Sequence, residues 1–315
     1  MSASVSFWQM ITIMLLVLAG YACSKTHVVK KGETGVLSRL MADVLNPAII
    51  VSSMLGKEDM DKGSVLAAFP VGALMFFLSI LLGMVLCRFL SGQKTERKVY
   101  QLMLVFTNLG FIGIPLVRGL FGEGALVYVA VYILEYNILI YTYGYALLSG
   151  AGKDGEKPEH PVRDMLKSLC NMGTLACIAG LVIFLGGVQL PQVLSSAITY
   201  LGDAAVPLSL LIVGMNMADQ NLKAILTEKK SYLFLAVKMI LVPLILMLVL
   251  KVLPIDAELA EISMILMAMP VGTMPLVMIN AQEIDAPFCS ADIVLTTIFS
   301  VLTIPLMIWI YSVIG

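Results

Sequence analysis

Asn108, Gly110, Gly113 and Pro115 fall within eight residues, in "NLGFIGIPLV", inside a run hydrophobic enough to cross a membrane. None of them favours a helix interior. Glycine loosens the backbone, and proline removes a donor and clashes with the carbonyl four residues back, at about 3 kcal/mol or more in a regular helix. Peptide groups freed in this way cannot face lipid; they persist in a membrane only where they are buried in protein or line a cavity. A span interrupted mid-membrane becomes two half-helices. The half-helix that begins near Gly113 would offer unpaired N–H groups and the positive end of its dipole, which suits a carboxylate. Pro115 in its first turn loses nothing, because an N–H there has no partner.

A second stretch, "MAMPVGTMPLV", repeats the pattern with Pro270, Gly272, Thr273 and Pro275, and its half-helix is expected to begin near Thr273. Matched interruptions in two spans are the pattern that marks a substrate site in secondary transporters. Asn108 is the polar residue of the first stretch. In the register that aligns Pro115 with Pro275, Ala268 stands opposite Asn108, so polar coordination should be lopsided.

The elements that position these residues are membrane spans. Hydrophobic residues make up 59% of the 315 and charged residues 13%, with a mean hydropathy of +0.96. Soluble domains are roughly 45–50% apolar and about 25% charged. The composition is that of an all-α polytopic membrane protein. A net charge of −1 without any basic cluster argues against a nucleic-acid partner. Five scattered cysteines and two histidines form no metal-ligand pattern, so no metal or cofactor is expected. "MSASVSFWQM" lacks the basic start of a cleaved signal, so the first apolar run is expected to stay as a span.

Runs of about 20 apolar residues occur near 5–24, 35–55, 65–90, 99–118, 124–149, 165–187, 193–218, 231–253, 259–281 and 288–314, ten in all. The loops after spans 1, 3, 5 and 7, with their flanks, hold 15 of the 20 Lys and Arg residues. That bias places the odd-numbered loops in the cytoplasm and both termini outside, in the cytoplasmic (inner) membrane.

The register that pairs Pro115–Val117 with Pro275–Val277 also aligns Ala19-Gly20 with Ala179-Gly180, and Asp43 and Pro47 with Asp203 and Pro207. One register shared by three pairs of spans predicts two five-span repeats, 1–155 and 160–315, in a single domain over 1–315. With five spans in each, the second enters from the opposite side and the repeats are inverted.

"NLGFIGIPLV", "VPLSLLIVGMNMA" (Val206–Ala218), "VKMILVPLI" (Val237–Ile245) and "TTIFSVLTIPLMIW" (Thr296–Trp309) resemble the auxin efflux carrier family, over essentially the whole chain. The resemblance implies a scaffold of spans 1, 2, 6 and 7, dimeric through spans 2 and 7. Spans 3–5 and 8–10 would form a transport domain that moves like an elevator, with substrate at the crossover of spans 4 and 9. Its prokaryotic members are linked mostly to malonate, malate and other small carboxylates. The joint after span 5, "AGKDGEKPEHPVR", is short. It lacks the long loop of the large plant carriers and points to a compact prokaryotic member. Carried onto this chain, the binding residues are Asn108, Gly110, Gly113, Pro115, Pro270, Gly272, Thr273 and Pro275.

Other polar residues within the spans are candidates for coupling to H⁺ or Na⁺. Glu135 lies mid-span, where an acid costs about 2.5–3.5 kcal/mol on insertion scales, and so should face protein or water. Lys238 lies about two turns into span 8; it is expected to snorkel to the surface, or else to pair with Glu135, Asp292 or a substrate carboxylate. Asp292 sits near the start of span 10, at an interface or a cavity. The tyrosines of span 5 read as packing and interface anchors. Asp43 and Asp203 read as helix contacts or caps before Pro47 and Pro207.

The function expected is secondary transport of small organic anions, in a lipid bilayer and without enzymatic activity. Alternatives are an anion channel or a sensor derived from a transporter. An intramembrane aspartyl protease fits less well, since such enzymes resemble YD plus GxGD whereas Asp43 follows Ala42 and Asp203 sits in "YLGD".

Overall fold

The computed structural model describes residues 3–30, 32–57, 61–149, 151 and 169–314. Most of the joint after span 5, with His160, lies outside the described residues. The described chain is helical: α1 (Ala3–Lys25), α2 (Thr34–Ser52), α3 (Lys62–Leu90), α4 (Lys94–Val105), α5 (Leu109–Phe121), α6 (Leu126–Leu148), α7 (Met172–Gly186), α8 (Gln192–Ala218), α9 (Leu222–Thr227), α10 (Lys229–Val252), α11 (Ala257–Met267), α12 (Met274–Ala281) and α13 (Phe288–Ile314). Among the described residues seven helices are long and apolar enough to span a membrane: α1, α2, α3, α6, α8, α10 and α13. Helices α5 and α7 are shorter apolar helices. The chain is thus a multi-pass integral membrane protein.

Prolines shape three of these helices through one device. Turns of π-helix at Met41–Leu45, Leu109–Gly113 and Val237–Leu241 each end two residues before a proline, Pro47, Pro115 and Pro243. In each, the residue just before the proline donates five residues back: Asn46 to Met41, Ile114 to Leu109 and Val242 to Val237. Proline cannot donate, and the wider turn makes room for its ring while the helix continues. Such bulges recur at functional sites.

Small residues let helices touch where lipid supplies no hydrophobic drive between them. A Cβ on Gly214 of α8 would overlap the Val17 carbonyl of α1, and one on Gly20 of α1 would overlap the Leu211 carbonyl of α8. Gly180 of α7 packs on the Met54 side chain just beyond α2, and Gly202 of α8 lies against Ile49 of α2. Apolar side chains such as Trp8, Phe77, Phe89, Val193 and Tyr200 stay exposed on the outer faces, as a lipid-facing surface requires. The three cysteines Cys87, Cys177 and Cys289 are buried as apolar filler, and all five are free.

Candidate functional site

Both interruptions foreseen in the sequence are present. Helix α4 stops at Val105 and α5 starts at Leu109; α11 stops at Met267 and α12 starts at Met274. The two gaps meet. Thr107 and Val271 form an isolated antiparallel bridge, in which the Asn108 N–H donates to the Pro270 carbonyl at 2.8 Å and the Gly272 N–H to the Phe106 carbonyl at 3.1 Å. Each interrupted helix therefore satisfies peptide groups that the other left open, which a bilayer interior demands. Gly272 is required by the closeness of this contact, since a Cβ there would lie 2.8 Å from the Thr107 carbonyl oxygen and 3.1 Å from the Tyr136 hydroxyl.

The helix starts differ from the sequence expectation. The first half-helix begins at Leu109, not near Gly113, and the Asn108 side chain caps it by accepting from the Phe111 N–H at 3.1 Å. Gly113 lies buried one turn inside. The second half-helix does begin near Thr273, at Met274, with Thr273 at the capping position and Pro275 in its first turn, but the Thr273 side chain makes no capping bond. The capping positions Asn108 and Thr273 do not align in the register of the shared "PLV", which sets Asn108 opposite Ala268. The π-turn Leu109–Gly113 accounts for the difference, because it places extra helix between the first cap and its proline. Gly110, Phe111, Thr273 and Met274 are half-buried, while Asn108, Gly113, Pro115, Pro270, Gly272 and Pro275 are buried.

Pro115 has a second consequence. It has no N–H for the Phe111 carbonyl, four residues back, and that carbonyl accepts from the Ser209 hydroxyl of α8 at 3.2 Å. From α2, Asn46 brings its side-chain nitrogen to 3.3 Å from where a Cβ on Gly110 would stand. The Asn46 Oδ1 and Thr107 Oγ1 atoms are buried without a hydrogen-bond partner. Thr296 of α13 accepts from the Val271 N–H at 3.3 Å. The sequence reading does not single out Asn46, Thr107, Ser209 or Thr296, although Asn46 and Ser209 flank the prolines Pro47 and Pro207, a signal present in the chain.

The three charged candidates do not pair with one another. Ion pairs join Arg118 to Glu123 at 2.5 Å and to Asp203 at 2.6 Å. Lys238 does not snorkel: it is fully buried, and its Nζ donates to the Leu104 carbonyl at 2.7 Å, in the last turn of α4. The Glu135 carboxylate lies against the backbone of α3 at Gly72, where a Cβ would overlap it. Its neighbour Tyr136 packs edge-on against Phe106 at 5.1 Å, so this tyrosine supports the gap by packing, as expected. Asp292 is fully buried beside the Ser231 hydroxyl of α10, one turn ahead of Thr296. Asp203 contacts another helix, α5, through Arg118, while Asp43 is exposed. Among the described residues no group of three or more His, Cys, Asp or Glu side chains could hold a metal.

An apolar crevice too narrow to admit water lies between Ile49 and Ile50 of α2, Ile114 of α5 and Val129 and Ile133 of α6.

A family model described as membrane transport protein matches residues 5–308. An uncharacterised transporter of Methanocaldococcus jannaschii is 23% identical over 95% of this chain and 96% of its own length. One of Methanothermobacter thermautotrophicus is 24% identical over 94% and 95%. A Rhizobium meliloti protein, whose name provisionally assigns it malonate transport, is 26% identical over 79% of this chain and 76% of its own length.

Proposed function

Since the chain belongs to the membrane transport protein family, the auxin efflux carriers, we propose that it is a secondary carrier of small organic anions. It is a transporter, not an enzyme. The substrate class proposed is a mono- or dicarboxylate of malonate or malate size, bound where the two interrupted helices meet. The observation that carries this reading is the backbone pairing of Asn108 with Pro270 and of Gly272 with Phe106. It brings the starts of α5 and α12 together, and the first N–H groups of a helix have no intrahelical partners. Half-buried Gly110, Phe111, Thr273 and Met274 leave that meeting point open to an anion, with Asn108, Gly113, Pro115, Pro270, Gly272 and Pro275 shaping it.

The architecture proposed is ten spans in two inverted five-span repeats, with α4–α5 and α11–α12 as the crossover spans. Symmetric helix contacts support it: Gly20 of the first span packs on α8, the seventh, and Gly180 of the sixth packs beside α2, the second. In this reading α1, α2, α7 and α8 form a scaffold that dimerises through α2 and α8. The remaining helices form the domain that slides, elevator-fashion, in the inner membrane with both termini outside. Asn46 and Ser209 then reach the site from the scaffold side, and Glu135, Asp292 and Lys238 stand close enough to serve coupling to an ion gradient.

Counterflow in proteoliposomes with a panel of mono- and dicarboxylates tests the proposal. Saturable exchange of at least one carboxylate is expected, with affinity or rate lowered in Asn108→Ala and in Pro115→Ala. Flux without saturation or counterflow would make the protein a channel. Unchanged kinetics in both variants would remove the substrate from this meeting point.

A further inference from the structure

Helix α4 ends inside the protein, with Val105 and Phe106 fully buried, and a half-helix C-terminus carries partial negative charge and carbonyls without intrahelical donors. Its closing carbonyls have identifiable partners. Leu102 accepts from the Phe106 N–H at 3.1 Å, Phe106 from the Gly272 N–H at 3.1 Å, and Leu104 from Lys238 Nζ at 2.7 Å. Lys238 is fully buried, and among the described residues no acidic side chain lies within ion-pair distance of it. Its polar partner is thus the end of α4 itself. In broken-helix carriers such half-helix ends and unwound carbonyls are where a coupling Na⁺ is held.

The opposite helix end is built without a lysine. The register of the two repeats carries Lys238 to Leu78 of α3. The neighbouring Ser79 hydroxyl donates to the Met75 carbonyl at 2.8 Å and lies 3.9 Å from the sulfur of Met267, where α11 ends.

We propose that Lys238 is a tethered cation standing where a metal ion would otherwise serve the C-terminus of α4, so that this end of the crossed pair neither binds nor needs Na⁺. The ammonium is supplied by the chain, on a π-turn (Val237–Leu241) that ends two residues before Pro243. The lysine is a positioning residue: it fixes the end of α4, and through the Phe106–Gly272 bond the start of α12.

The flux arm of the test rests on the carrier reading; the stability arm does not. Purified wild-type protein is unfolded thermally in NaCl and in choline chloride at equal ionic strength. Equal midpoints are expected, and a midpoint raised by Na⁺ in the wild type overturns the proposal. Lys238→Ala, which opens room at the Leu104 carbonyl, is expected to gain a midpoint that rises with Na⁺ or with methylammonium. Lys238→Met fills the space without a donor and is expected to respond to neither. In counterflow, wild-type rates should match in the two salts, and Lys238→Met should be slower by about tenfold or more, the scale of a lost hydrogen bond to a charged group. Wild-type rate and stability in Lys238→Met overturns the proposal. Absence of carboxylate flux in the wild type refutes the carrier reading and leaves the Na⁺-insensitive midpoint to decide this one.

Discussion

Alanine at three motif glycines separates a squeezed position from tolerant ones, and the structure fixes the ranking. At Gly272 a Cβ would meet the Thr107 carbonyl oxygen at 2.8 Å and the Tyr136 hydroxyl at 3.1 Å. A backbone oxygen cannot step aside cheaply, so the two strands must part and the Asn108–Pro270 and Gly272–Phe106 bonds lengthen together. At a net ~0.5–1.5 kcal/mol each, losing both costs about 1–3 kcal/mol. At Gly110 the Cβ would meet the Asn46 side-chain nitrogen at 3.3 Å, a group at the end of a side chain that can rotate. At Gly113 the nearest atoms, Asn108 O and Leu266 Cδ2, stand at 3.4 Å, ordinary contact, and alanine gains up to about 1 kcal/mol of helix propensity. Thermal unfolding of purified protein should therefore rank Gly272→Ala lowest, by roughly 2–10 °C on the usual conversion. Gly110→Ala should fall near the wild type and Gly113→Ala at or above it. Gly272→Ala unfolding with the wild type, or Gly113→Ala below Gly272→Ala, would refute the view that the bridge fixes this part of the molecule.

Ser209→Ala leaves the Phe111 carbonyl without its hydroxyl donor. It should cost about 0.5–1.5 kcal/mol, read as a drop in thermal midpoint, while Ser209→Thr keeps the donor and most of the stability. The Arg118–Asp203 pair is part-exposed, with side chains 25% and 50% accessible, so a double-mutant cycle of Arg118→Ala and Asp203→Ala should return a coupling of only ~0.2–1 kcal/mol. A coupling of several kcal/mol would show that the pair acts as a latch between α5 and α8. The Asp61 carboxylate caps α3, accepting from the Gly63 N–H at 3.1 Å, the Ser64 N–H at 2.9 Å and the Ser64 hydroxyl at 2.7 Å. Those bonds, that of the Ser64 side chain foremost, hold its pKa below the ordinary 3.8. The folded value lies below the unfolded one, so the cap's contribution is complete at neutral pH and is lost as pH falls from 3.8 through the folded value. The stability gap between wild type and Asp61→Ala should narrow over that range, and a gap constant with pH would remove the ionised cap from the account.

Hydropathy and the prolines alone settled that this chain lives in a membrane and that two of its helices are interrupted. Both follow locally, from the transfer energy of side chains and from what glycine and proline do to a backbone without water. The same local reasoning misplaced the first helix start. It aligned Gly113 with Thr273 through the shared "PLV", whereas the cap is Asn108 and a π-turn separates it from Pro115. A π-turn differs from an α-turn by one residue of bonding register, and the sequence carries no periodic mark of that.

Partners lay further out of reach. Lys238, read as snorkelling to a surface, turns inward to the Leu104 carbonyl; Asp203, read as a contact or a cap, meets Arg118 of another helix. Which glycine is squeezed depends on how closely Thr107 and Val271 approach. Such matters depend on the rotation and depth of one helix against another, and packing sets those over the whole bundle. The sequence determined where the backbone had to open, and the tertiary structure decided which group closes each opening, because every freed peptide group in a bilayer must find its partner within the protein.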